Sequence, residues 1–139
     1  MHQQVRELFM KYEKANSSSD PSAIGSLYAE TFMFGGPKGV QAVKREDFLK
    51  VVPKMKAYYA SMGISETALH SVDTRPLDSK YLLATVVWRI KFRDSPDKRY
   101  VDAAATYVLS CEEGGALSVV FQLDHQDLAS VVRGLQDTQ

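Results

Sequence analysis

The chain has a single cysteine, Cys111, which excludes an internal disulfide and makes a reducing, cytoplasmic location the expectation. An excess of charge of one sign is also missing. Seventeen Lys+Arg stand against seventeen Asp+Glu, with no basic stripe of the kind nucleic-acid binders use, so no nucleic-acid partner is expected. Long apolar runs are absent. The longest uncharged apolar stretch, Tyr81 to Trp88, is far too short to span a bilayer, so no membrane partner is expected either. The opening Met-His-Gln-Gln-Val-Arg lacks the basic-then-apolar layout of a signal peptide. His2 and His70 have no partners at metal-ligand spacing, and with Cys111 they form no zinc pattern, so neither a metal nor another cofactor is expected. There is no G-x-x-x-x-G-K-[ST] phosphate loop, no G-x-S-x-G elbow, no repeat and no linker.

What remains is an ordinary globular composition, 45% apolar and 24% charged over 139 residues, read as one domain covering 1–139. Val5, Leu8, Phe9, Tyr12 and Ala15 recur at helical spacing and predict an amphipathic helix from about His2 to Asn16. Asp20-Pro21 starts a second, short helix with a capping residue and a proline at its first position. Thr31 to Phe34 reads as a short strand ending at Gly35-Gly36-Pro37. From Arg45 the period is helical again through Phe48, Val52, Met55, Tyr59 and Met62. Pro53 inside it predicts a kink or two pieces, and Gly63 an end. The period then changes to two. Strands are predicted near Ser65–Thr74, Tyr81–Phe92, Tyr100–Ser110 and Ala116–Asp124, followed by a last helix through the segment DLASVVRGL, capped by Asp124 or Asp127.

Helices followed by an antiparallel meander make an α+β layout with the helices on one sheet face. Alternation sorts the faces. Trp88, Ile90 and Phe92 point inward, opposite Arg89 and Lys91; Val101, Ala103, Ala105, Tyr107 and Leu109 point inward on the next strand; Leu117, Val119, Phe121 and Leu123 on the last. Ala103 and Ala105 leave room in the middle of the inner face. That room is either filled by Trp88 and Phe121 or open to a ligand.

The order of these elements, and above all the segment DPSAIGSLYAETFMF from Asp20 to Phe34, resembles the nuclear transport factor 2-like superfamily, in its SnoaL-like and ketosteroid isomerase-like branch. The resemblance covers nearly the whole chain. It implies a cone-shaped fold in which a strongly bent antiparallel sheet wraps around the N-terminal helices, as in cystatin-like and ketosteroid isomerase-like proteins. A pocket opens at one end, and dimerisation runs across the sheet face. It also implies a catalytic pattern against which this chain can be compared. The family's helix 1 tyrosine matches Tyr12, but its general-base aspartate falls on Gly36 and its second aspartate near Tyr107. The aspartates of steroid isomerisation are missing at the matching positions, and whether the chain is an enzyme stays open.

The candidate site residues follow. Tyr12 and Tyr107 are two phenols that either pack in the core or donate to a ligand oxygen. In the segment LDHQDL, Asp124 and His125 either cap a helix or form a base with its orienting partner. Tyr28, Met33, Gly36, Trp88, Ala103, Ala105 and Phe121 are the expected ligand-binding lining. Two functions are compatible with this set. In one, a homodimer binds a small apolar ligand in an aromatic pocket, with isomerase-, cyclase- or dehydratase-like chemistry on a carbonyl or hydroxyl compound. In the other, the pocket is filled by Trp88, Phe121 and Met33, and the domain is a non-catalytic dimeric binding or scaffold module.

Overall fold

The computed structural model describes residues 2–17, 21–93 and 100–126. The elements are α1 (His2–Asn16), α2 (Pro21–Gly25), β1 (Tyr28–Gly36), β2 (Gly39–Lys44), α3 (Arg45–Ser61), β3 (Ile64–Pro76), β4 (Tyr81–Phe92), β5 (Tyr100–Cys111) and β6 (Leu117–Asp124). The six strands form one curved, unclosed sheet in the order β2-β1-β6-β5-β4-β3. Neighbours are antiparallel except β1 and β6, which run parallel. The sheet is therefore mixed rather than purely antiparallel. β1 is the reason: the chain leaves it for β2, α3, β3, β4 and β5, and only then returns to its other flank as β6.

α1 buries the predicted stripe, Val5, Leu8, Phe9, Tyr12 and Ala15, and packs against β3, while α3 packs against α2 and the β1–β2 hairpin. Facing them are Leu82, Ala84, Val86 and Trp88 of β4 and Ala105, Tyr107 and Leu109 of β5. α3 is one helix through Pro53, not two pieces. Pro53 lies on its exposed side, so the missing backbone bond falls at the surface and not against the sheet. Gly63 ends the helix as predicted, at φ +88, with its N–H bonded to the Ala60 carbonyl at 3.0 Å. β2 was not legible. Its residues are almost all exposed, so they carry no apolar alternation, and the strand exists because β1 pairs with it from Thr31↔Lys44 to Gly36↔Gly39. The Asp20 cap and the last predicted helix lie outside the described residues.

One irregularity decides what the inner face carries. β5 pairs with β6 as Leu109↔Val119 but then as Val108↔Phe121, leaving Val120 as an extra residue. Such a bulge reverses the side-chain alternation beyond it. Gln122 now opposes Tyr107 and Asp124 opposes Ala105, both on the inner face, while Phe121 and Leu123 turn outward opposite Val108 and Thr106. This corrects the inward placement of Phe121 and Leu123. On β1, Met33 pairs with Phe121 and is 37% exposed. Met33 and Phe121 are therefore outer-face residues, and it is Phe34 that borders the interior.

Candidate functional site

A cavity of about 1370 Å³ lies between the inner sheet face, α1 and α3, larger than the roughly 300–1,000 Å³ common for small-molecule sites. Seven of the sequence candidates border it: Tyr12, Gly36, Trp88, Ala103, Ala105, Tyr107 and Asp124. Ala103 and Ala105 lie side by side along this lining. Three candidates are elsewhere. Met33 and Phe121 face out, for the reason just given. His125 is also exposed, its Nε2 lying 2.6 Å from Thr106 Oγ1 on the outer face. Consecutive residues of an extended strand point to opposite sides, so Asp124 and His125 do not form a base with its orienting partner across the cavity. Tyr28 stands behind the lining and reaches it through hydrogen bonds.

Those bonds form a directed chain. The carboxylate of Asp124 can only accept, so the Gln122 amide turns its NH₂ to Asp124 Oδ1 at 3.0 Å. That leaves the Gln122 carbonyl facing Tyr28, whose O–H donates to it. A phenol has one proton, so the Tyr28 oxygen must accept in its contact with Tyr12, 2.6 Å away, and Tyr12 is the donor. Next to Tyr12 is Tyr107, which receives the Trp88 indole N–H at 3.2 Å. The Tyr107 ring meets the Tyr12 ring edge-on, with centroids 6.3 Å apart. Burial pushes Tyr12 up to about 12 and raises Tyr28 and Tyr107 well above the ordinary value of 10, so all three keep their protons at neutral pH. The rings pack as well: Phe9 lies 4.7 Å from Tyr107 and Tyr28 lies 4.5 Å from Phe32, centroid to centroid.

Asp124 ends the chain, half-buried on the cavity wall. Burial pushes its carboxyl above the ordinary 3.8, against the opposing effects of the Gln122 hydrogen bond and of His125. Such a group binds its proton more tightly in the folded state. Stability from it is therefore full below pH 3.8 and declines as pH rises from 3.8 through the raised folded value. Above that window the ionised carboxylate is a standing cost to the fold. Across β1, Gly36 lies beside Asp124, since Gly35 pairs with Leu123. A side chain at Gly36 would meet only the Asp124 carbonyl, at 3.8 Å. Asp124 therefore stands on the strand next to Gly36. Gln122 was missed because alternation places it outward. Among the described residues, no group of three or more His, Cys, Asp or Glu is placed to hold a metal ion, and no helix is long and apolar enough to cross a membrane.

Comparison with known proteins agrees with this architecture. The family described as NTF2-like protein (DUF6841) matches residues 3–126, and the chain belongs to it. No curated protein matches by sequence. Among solved structures, the chain is similar to Aln2 from a Streptomyces species, at TM-score 0.73 and 10% identity over 94% of this chain and 93% of that one. It is similar to an NTF2-like protein of unknown function from Shewanella oneidensis, at TM-score 0.69 and 12% identity over 90% and 98%. A third is a Catenulispora acidiphila protein with a ketosteroid isomerase-like fold in complex with trimethylamine, at TM-score 0.58 and 15% identity over 90% and 88%. At these identities the likeness is one of fold.

Replacing Tyr28 with Phe keeps the ring contacts but leaves the buried Gln122 carbonyl without a donor and the Tyr12 hydroxyl without an acceptor. The expected loss is about 1–3 kcal/mol of unfolding free energy, measured by urea denaturation. A loss below about 0.5 kcal/mol, the range of ordinary surface substitutions, would show that the chain is not made.

Proposed function

We propose that this NTF2-like domain binds a small, largely apolar molecule in the cavity bordered by Tyr12, Trp88, Tyr107 and Asp124. The observation that carries this is the outward turn of Phe121 and Met33. Two of the three side chains that a filled core required are on the other side of the sheet, and the space beside Ala103 and Ala105 is open. That the fold accommodates a small ligand in the Catenulispora acidiphila protein gives further support. Binding stands ahead of turnover. Isomerase-like chemistry on a carbonyl needs a donor aimed at the developing oxyanion, and the Tyr12 proton is directed at Tyr28. If the site turns over a hydroxyl compound, Asp124 is its proton acceptor.

The test is a thermal-shift screen against steroids, polyketide-like aromatics, fatty acids and small aromatic compounds. A true ligand at about a hundred times its dissociation constant adds roughly 2.7 kcal/mol, which moves the midpoint by several degrees in a domain of this size. No shift in any class would favour the scaffold function.

The same bulge gives the outer face an apolar cluster of Met33, Phe121, Leu123 and Val108, which we read as the homodimer interface. The expected result is a dimer by sedimentation equilibrium that Phe121→Lys converts to a monomer. A monomeric wild type contradicts it.

A further inference from the structure

We infer that the cavity selects a ligand bearing a protonated amine, an organic cation with an aromatic or aliphatic body, and not a carbonyl compound. The inference rests on the cavity being the binding site and concerns the polar group that the ligand must carry there.

The direction of the hydrogen-bonded chain is the reason. Beginning at the Gln122 carbonyl, the protons of Tyr28 and Tyr12 are assigned in turn, and each hydroxyl has its acceptor inside the protein. What Tyr12 presents beyond the chain is oxygen lone pairs. Asp124 presents carboxylate oxygens, of which Oδ1 is held by Gln122. Among the described residues Asp124 has no ion-pair partner: the pairs formed are Lys50–Asp47, Arg89–Asp102 and Lys91–Glu66. Apart from the second N–H of the Gln122 amide, the aromatic part of the cavity therefore offers acceptors and one carboxylate without an ion-pair partner among the described residues. A ketone there sets oxygen against oxygen. An ammonium group supplies the missing donor, forms a charge-assisted hydrogen bond to Asp124, and has aromatic rings as its other neighbours. Trp88, Tyr12, Tyr107 and Phe34 border the same space, and ring faces attract cations.

The rest of the lining carries both signs of charge. It contains Lys14, Lys38 and Lys56, but also Glu13, Asp47 and Glu66 besides Asp124. All three of those other carboxylates are engaged elsewhere: Glu13 accepts the Leu69 backbone N–H, Asp47 pairs with Lys50 and Glu66 pairs with Lys91. Burial of an unpaired carboxylate is costly, and a bound cation removes that cost. Asp124 is thus a group whose environment is incomplete without a ligand of opposite charge.

Three probes of one shape separate the alternatives: 1-phenylethylamine, 1-phenylethanol and acetophenone, titrated by calorimetry into the full-length protein at neutral pH. The expected order is amine tightest, alcohol next and ketone weakest, with amine and ketone separated at least about tenfold, the factor for one charge-assisted hydrogen bond. Asp124→Asn, which offers an N–H where the carboxylate was, should abolish that preference. The wild-type order is decisive even if the variant fails to fold. Ketone binding as tight as amine binding would overturn the cation inference and leave the cavity as a binding site. Amine binding that Asp124→Asn does not weaken would also overturn it. Failure of all three probes to bind would overturn both the inference and the cavity proposal beneath it.

Discussion

A single extra residue, Val120, sets the character of this protein's interior. Before it, β6 follows the alternation written in its sequence, and Val119 packs opposite Leu109 in the core. After it, the strand is turned over. Two apolar residues, Phe121 and Leu123, face out, and two polar ones, Gln122 and Asp124, face in. Burying an amide and a carboxylate in place of a phenylalanine and a leucine runs against the hydrophobic effect. The arrangement holds because the interior has partners waiting: Tyr28 for the Gln122 carbonyl, and Gln122 in turn for Asp124. Among the described residues, no buried side-chain polar atom is left without a partner.

The two faces of the sheet are linked by this one choice. The polar residues brought in make the cavity chemically distinct from a plain apolar core. The apolar residues sent out leave Phe121 beside Met33 on the opposite surface. Asp124 adds an energetic cost of its own. Its carboxyl is raised by burial, so once ionised it is a charge that the fold would be more stable without. Groups that lower stability in this way are characteristic of sites kept for binding or chemistry.

Most of the fold was legible in the residues. Helical spacing in α1, the capping glycine after α3 and strict alternation along β4 and β5 are local signals, and the structure follows them. Trp88, Tyr107 and both inner alanines face where parity puts them. The departures come from tertiary constraints that a local pattern cannot carry. β2 has no buried face to advertise. β6 advertises the wrong one: Leu117, Val119, Phe121 and Leu123 alternate regularly, and nothing in that run marks Val120 as a bulge. The same reversal explains the candidate site. Asp124 was found through the segment LDHQDL, but its expected companion His125 lies on the other face, and its real partner, Gln122, was assigned outward. Local rules and tertiary structure disagree here at the two polar residues that the bulge turns inward.

The account depends on Asp124 being turned into the cavity and held there by Gln122. A ¹³C NMR titration of the Asp124 side-chain carboxyl in the unliganded protein measures this most directly. A carboxyl on the cavity wall titrates above the ordinary 3.8. A midpoint at or below 3.8 would mean that the carboxyl is in solvent or on the outer face, and that β6 runs through Val120 without reversing.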